Sequence, residues 1–240
     1  MTRLDILIVN NKLTKSRSVA CDLIKKGFVK VHGEIITKPA KEFPENAIIE
    51  IIEQPKYVGR GGLKLETALD EFKIDPKGLI VIDVGSSTGG FTDCLLQKGA
   101  KKIYAVDVGT DQLDKKIKDD PRVISMEKTD IRKIEKLAEK ADLAVIDVSF
   151  ISLELILKKV SDLLTPNAKI IALIKPQFET QRKDKNKSGI VKNDQLREKV
   201  LEKIMNFVVK INLKPLKTIE SPILGGSGNK EYLLLLQNNI

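Results

Sequence analysis

The chain has no tryptophan, a single histidine, two cysteines and an aromatic content of only 4%. Cys21 and Cys94 fall within helical patterns and lack Cys-x-x-Cys spacing, which argues against a disulfide framework or a zinc site and reads as two buried thiols. The lone His32 precedes Gly33 in a hairpin turn, so proton chemistry falls to Lys, Asp, Glu or Tyr, and no metal is expected. With so few rings, no base-stacking platform is evident. No stretch approaches the roughly 18 apolar residues of a membrane span. The longest candidate, Tyr232 to Leu236, is far too short, and the first residues carry Arg3 and Asp5 where a signal peptide needs an apolar core. The expectation is a soluble, cytoplasmic protein with no membrane partner.

What the chain has in excess is positive charge. A formal +9 and a pI near 9.3 favour a polyanionic partner. Met1 to Phe43 holds nine Lys or Arg against four Asp or Glu, more than half of the surplus on under a fifth of the length. Residues 1–57 read as a small α+β module with its linker: a short helix over Leu4 to Asn10, a helix from Lys15 to Lys26 capped by Thr14 with Val19, Ala20, Leu23 and Ile24 on one face, a stop at Gly27, and strands over Phe28 to Val31, Glu34 to Thr37 and Ala47 to Ile52. Glu53 to Tyr57 lacks periodicity and carries a proline, as linkers do. Arg60 follows as a candidate phosphate contact.

Residues 58–240 are organised around Ile80 to Phe91. Leu79 to Val84 is an apolar, β-branched run ending on Asp83-Val84, the signature of a buried parallel strand. Gly85 then turns the backbone, Ser86 to Thr88 offer hydroxyls and N–H groups, and Gly89-Gly90 admit close approach before a helix begins near Phe91. The Gly-x-Gly-x-x-Gly spacing that seats a pyrophosphate is absent, and the acid at the strand end repels phosphate but attracts an ammonium or sulfonium. S-adenosylmethionine has that chemistry. Asp107, closing the next strand about twenty residues on, is placed to accept ribose hydroxyls.

Strand and helix patterns alternate from there: Phe91 to Lys98, Lys102 to Asp107, Gln112 to Lys118, Arg122 to Ser125, Ile134 to Lys140, Leu143 to Asp147, Ile151 to Leu164, Ala168 to Ile174 and Gln195 to Ile211. Two final strands, near Leu216 to Ser221 and Glu231 to Gln237, are joined by a Gly-rich loop and pair antiparallel at one edge. The pattern predicts an α/β, Rossmann-like doubly wound sheet with ligands at the carboxyl ends of the strands. Asp147 and Lys175 close two apolar runs there, Glu231 opens the last strand on the same edge, and Lys64 sits in the first turn of a helix over Leu63 to Phe72, where the dipole disfavours it. Two cations and two anions can compensate one another at that edge. Such a set suits methyl transfer to a ribose 2′-hydroxyl, with Lys175 as base or steering group held by Asp147 and Glu231, and Lys64 positioning the ribose. The charged segment from Gln177 to Asp194 is predicted to close over RNA through Lys183, Lys185 and Lys187.

These residues carry two resemblances. Arg3-Leu4-Asp5, Ser16-Arg17-Ser18, Leu23-Ile24, Gly27, Val29-Lys30-Val31, Gly33 and Thr37-Lys38-Pro39-Ala40 resemble the α-L RNA-binding module. The resemblance implies Arg3, Lys15, Arg17, Lys25 and Lys26 as phosphate contacts. Asp83-Val84-Gly85-Ser86-Ser87-Thr88-Gly89-Gly90-Phe91, Asp107-Val108-Gly109, Asp147-Val148-Ser149-Phe150, Lys175-Pro176-Gln177-Phe178-Glu179 and Gly228-Asn229-Lys230-Glu231-Tyr232 closely resemble the TlyA family, similar in its catalytic half to FtsJ-type methyltransferases. The implied activity is S-adenosylmethionine-dependent 2′-O-methylation of ribosomal RNA or a ribosomal subunit, with a cytidine of the large-subunit RNA as the expected target. The implied catalytic residues are Lys64, Asp147, Lys175 and Glu231. The implied cofactor residues are Asp83, Gly85, Ser87, Gly90, Phe91, Asp107 and Asp130, the last for an adenine amino group or as a helix cap. Two other readings stay open: a non-catalytic RNA-binding or ribosome-assembly factor, and a membrane-lysing toxin, as the family's historical name haemolysin suggests.

Overall fold

The structure, a computed structural model, describes residues 1–25, 27–52, 56–186 and 189–239. The chain divides into two compact units, Met1–Lys56 and Tyr57–Ile240. Tyr57, read as linker from the sequence, instead belongs to the second unit, where its ring is 2% exposed.

In the first unit, β1 (Thr2–Arg3) pairs with β4 (Glu42–Phe43), and α1 (Leu4–Asn10) packs on α2 (Arg17–Lys25). A three-stranded sheet sets β2 (Val29–Val31) between β3 (Glu34–Ile35) and β5 (Ile49–Ile51). Leu4, Ile8, Ala20, Leu23, Ile24, Val29 and Val31 form its core. α2 starts later than its apolar spacing predicts: the Ser16 hydroxyl, rather than Thr14, faces the helix N-terminus and accepts from the Val19 N–H at 3.4 Å. Val19 is consequently in the first turn and 45% exposed, outside the buried stripe it was expected to join.

The second unit opens with α3 (Gly61–Phe72) and proceeds through β6 (Ile80–Val84), α4 (Gly90–Gln97), β7 (Lys102–Val106), α5 (Lys115–Lys118), β8 (Val123–Met126) and β9 (Ala141–Ile146). Then come α6 (Leu157–Asp162), β10 (Leu164–Ile174), α7 (Pro176–Glu179), α8 (Asp194–Lys210), β11 (Leu213–Glu220) and β12 (Tyr232–Asn238). The sheet order is β11-β12-β10-β9-β6-β7-β8. β10, β9, β6, β7 and β8 run parallel, while β12 is antiparallel to both β10 and β11.

Side chains alternate across the sheet with the strand period of two. Val81, Ile103, Leu143, Val145, Ile171 and Leu173 pack with α3 and α4 on one face, and Ile82, Val84, Ala144, Ile146, Ile170 and Ala172 with α6 and α8 on the other. Burial on both faces is why these strands read as continuous apolar runs.

Two predicted helices are not formed as read. Ile134 to Lys140 is irregular, preceded by one 3-10 turn (Ile131–Lys133) that Asp130 caps by accepting from the Arg132 N–H at 3.0 Å. Ile134 and Leu137 reach the core singly, so their helix-like spacing is met without a helix. Ile151 to Leu164 is broken into a 3-10 turn (Leu153–Leu155) and α6, and β10 begins earlier than predicted. The 177–194 segment carries α7 and a 3-10 turn (Arg182–Asp184). Beyond them the Asn229 side chain accepts from Val191 N–H at 2.9 Å and donates to the Gly189 carbonyl at 3.2 Å. Of the lysines predicted to close on RNA, Lys185 donates to the Gln177 carbonyl, whereas Lys187 and the Lys183 side chain lie outside the described residues. Among the described residues no helix is long and apolar enough to cross a membrane.

Gly62 of α3 lies directly on the Tyr57 ring, and a Cβ there would meet Cγ at 2.3 Å. Gly62→Ala is expected to destabilise the second unit by about 1–3 kcal/mol through overpacking, seen as a lower midpoint in denaturant unfolding.

Candidate active site

The end of β6 meets the end of β9 at unusually close range. Gly85 has φ +86°, and a Cβ there would lie 2.6 Å from the Asp147 carbonyl oxygen, so both the left-handed backbone and the close approach require glycine. Just before it, Asp83 is fully buried. Its Oδ2 accepts from the Thr92 hydroxyl at 2.6 Å, while Oδ1 has no hydrogen-bond partner among the described residues. Burial pushes this carboxyl up to about 7; the Thr92 hydrogen bond opposes the rise, and the charges of Asp147 and Asp107 add to it.

Beside this junction opens a cleft of about 410 Å³ whose walls include Gly85, Ser87, Asp107, Asp130 and Asp147. Asp107 closes the β7 run and accepts from the Ser87 and Gly109 backbone N–H groups, each at 2.7 Å. Asp130 is engaged by the Arg132 guanidinium, which, with the Arg132 backbone N–H, holds its carboxyl down at about 2. Apolar Val108, Ile131, Val148 and Phe150 complete the walls, and sequence reasoning did not single them out.

The other three expected cofactor residues do not line the cleft. Asp83 is sealed behind it. Gly90 faces the entry to α3, where a Cβ would lie 3.0 Å from the Gly59 carbonyl oxygen. Phe91 is 3% exposed, its ring against Gly61. The motif is a packing signal at these positions as much as a binding one.

The donor set tests what the cleft can hold. Arg132 is committed to Asp130 and Lys175 to Asp147, whereas Asp107 is met by backbone N–H groups and Asp83 feels the negative charge around it. A surplus of carboxylate repels pyrophosphate and favours a cationic ligand bearing hydroxyls and a flat ring, and S-adenosylmethionine fits.

At the adjoining strand ends the predicted quartet assembles as two ion pairs. Ala172 of β10 pairs with Ile146 of β9, and Ile174 with Tyr232 of β12, so the residues that follow or precede them, Asp147, Lys175 and Glu231, share one edge. Lys175 Nζ lies 2.7 Å from Asp147 Oδ1 and donates to the Ser149 hydroxyl at 2.9 Å. Lys64 reaches in from α3 and donates to Glu231 Oε2 at 2.6 Å. Gly61, one turn earlier on α3, is close to Asp147, where a Cβ would lie 3.7 Å from Oδ2. Glu231 therefore holds Lys64, not Lys175 as the sequence reading had it, since Lys175 is engaged by Asp147 and Ser149. Gln177 Nε2 donates to the other oxygen of Glu231 at 3.3 Å, and a Cβ on Gly225 would sit 2.2 Å from that oxygen. Ser149, Gln177 and Gly225 are thus site residues that the sequence reading missed. Their proximity in sequence to Lys175, Asp147 and Glu231 was the available signal.

Phe150 has φ +66° and is 91% exposed, its ring 5.0 Å from that of Phe178.

Of the expected RNA contacts, Arg60 is exposed at the start of α3 beside Gly226, and Lys15 and Lys25 are exposed. Arg3 and Arg17 instead share a buried partner, Asp5. Lys26 lies outside the described residues.

Residues 57–238 match the model of the FtsJ-like methyltransferase family, and residues 2–49 that of the S4 domain. The chain is 44% identical to the candidate rRNA methyltransferase YqxC of Bacillus subtilis, covering 98% of this chain and 85% of that one. It is 35% identical to the 16S/23S rRNA (cytidine-2′-O)-methyltransferase TlyA of Mycobacterium tuberculosis, over 98% of this chain and 89% of that protein. A solved hemolysin candidate from Streptococcus thermophilus superposes with a TM-score of 0.78 at 41% identity, covering 98% of this chain and 88% of that one.

Asp83 carries a pH prediction. Its folded-state carboxyl titrates near 7, above its ordinary value of 3.8, so the proton is bound more tightly in the folded state. The resulting stabilisation is complete below about pH 4 and is lost as pH rises through 7, a difference on the order of 4 kcal/mol. Asp83→Asn, which cannot ionise, should therefore gain thermal stability over the parent at pH 8, and the gap should shrink steadily towards pH 5.

Proposed function

The chain belongs to the FtsJ-like methyltransferase family, and from that premise we propose that it methylates a ribose 2′-hydroxyl, that of a cytidine in ribosomal RNA, in the cytoplasm. The observation that carries the reading is the pair of ion pairs, Lys175–Asp147 and Lys64–Glu231, gathered at the strand ends next to the carboxylate-rich cleft.

S-adenosylmethionine supplies the methyl group from a sulfonium. Asp107 and Ser87 would hold its ribose side, Val108 and Ile131 its adenine, and the Gly85 turn its amino-acid end. A ribose hydroxyl is a poor nucleophile and must be oriented while it loses its proton. Lys175, 12% exposed and aimed by Asp147 and Ser149, is the group placed to steer that oxygen and stabilise its developing charge. Asp147 is in reach to take up the displaced proton through the amine. Lys64, fixed by Glu231, would position the sugar, and the Gln177 hydrogen bond and the Gly225 wall keep Glu231 in place.

Three features support an RNA substrate: the S4 match over residues 2–49, the net charge of +9, and exposed Phe150 at the cleft rim, which can stack on a base. The Mycobacterium tuberculosis relative is named for cytidines of both subunit RNAs, so each subunit is a necessary test arm.

Purified protein is expected to transfer label from S-adenosylmethionine to one ribosomal subunit or its RNA, at a nucleotide that maps as a 2′-O-methyl stop. Lys175→Ala should lower the rate on the order of 10²–10⁴-fold with RNA affinity kept; an unchanged cellular function with no transfer by the parent would favour a non-catalytic assembly factor. Gly225→Ala should also abolish most turnover, because its methyl displaces Glu231, and the loss should fall on kcat.

A further inference from the structure

Asp5 stands in the first turn of α1 and is fully buried. Arg3 donates to both of its oxygens, through Nε and Nη2, each at 3.0 Å. Arg17, from the start of α2, donates its Nε to Oδ2 at 2.8 Å, and the Cys21 thiol donates to the same oxygen at 3.4 Å. The Arg3 hydrogen bonds hold this carboxyl well below the usual range against the opposing effect of burial, so it is ionised at neutral pH.

Two guanidinium groups that belong to different elements would repel at this range without the carboxylate between them. With it they are held side by side at a net charge of +1, and their side chains remain 39% and 57% exposed. A guanidinium has five N–H donors, and the edge turned to Asp5 uses only some of them. The N–H groups left over on each planar guanidinium suit phosphate oxygens, a forked donor geometry that lysine cannot reproduce.

We propose that Asp5 is a positioning residue for RNA recognition, presenting Arg3 and Arg17 as one preformed clamp for a phosphate of the folded RNA backbone. This rests on the ribosomal RNA reading above, and adds to it that a buried negative charge strengthens binding to a polyanion.

The sign of one substitution tests it. Asp5→Asn makes the chain more positive, so bulk electrostatics calls for tighter RNA binding. A preformed clamp calls for the reverse, since an amide cannot hold two cations together: affinity for purified ribosomal RNA should fall roughly tenfold or more, the salt slope should shrink by about one, and the kinetic loss should fall on KM for RNA. Equal or tighter binding by a folded variant, judged by its thermal melt, overturns the proposal. Should Asp5→Asn fail to fold, the decision passes to Arg3→Lys with Arg17→Lys, which keeps charge and carboxylate. That pair must also weaken binding, and Arg3→Ala and Arg17→Ala must be non-additive; parental affinity for the lysine pair, or additive losses, overturns it. Labelled methyl transfer by the parent runs alongside: its absence refutes the enzymatic reading, whereas the direction of the Asp5→Asn effect on binding reports on the clamp alone.

Discussion

The catalytic half depends on one buried ion pair. Lys64 and Glu231 come from opposite ends of the unit and meet at 2.6 Å with almost no solvent contact, side chains 9% and 2% exposed. Either charge alone at that position is strongly destabilising, so each residue is tolerable only because the other is there. The demand propagates outward. Glu231 needs Gly225 to leave room and Gln177 to satisfy its second oxygen. Lys64 needs α3 to start close to the strand ends, which Gly61 permits beside Asp147 and Phe91, while Gly59 and Gly90 let the entry to α3 pack on the start of α4.

A second constraint is the negative field of the cleft. Asp107, Asp130 and Asp147 follow strand ends and line the cleft, delivered to one side by the parallel sheet, while Asp83 is buried behind them. The structure spends its cations locally, Arg132 on Asp130 and Lys175 on Asp147. Burial chiefly raises the Asp83 carboxyl and the charges of Asp147 and Asp107 add to it, a burden that a sulfonium cofactor would lower.

Much of this was legible in the sequence because parallel strands buried on both faces leave an unmistakable apolar run, and because a charge abutting such a run marks its end. Asp147, Lys175 and Glu231 were found that way. What escaped was geometry between distant segments. Spacing at Ile134 to Lys140 looks helical, yet two apolar side chains reach the core from irregular chain. The pairing of Glu231 with Lys64 could not be read from strand order, since it depends on how far α3 tilts in. Gly90 and Phe91 belong to the glycine motif but serve helix packing. Arg3 and Arg17 were expected as phosphate contacts, but nothing in one dimension reveals that both are held by a buried Asp5.

The strand that begins just after Glu231, β12, pairs between β10 and β11 rather than lying at the margin. Before β12 is in place, β10 and β11 each expose an open hydrogen-bonding edge, a state prone to off-target pairing. Until both neighbours have closed on that strand, Glu231 is not held beside Lys64, so completing the sheet and completing the set of reacting groups are one event.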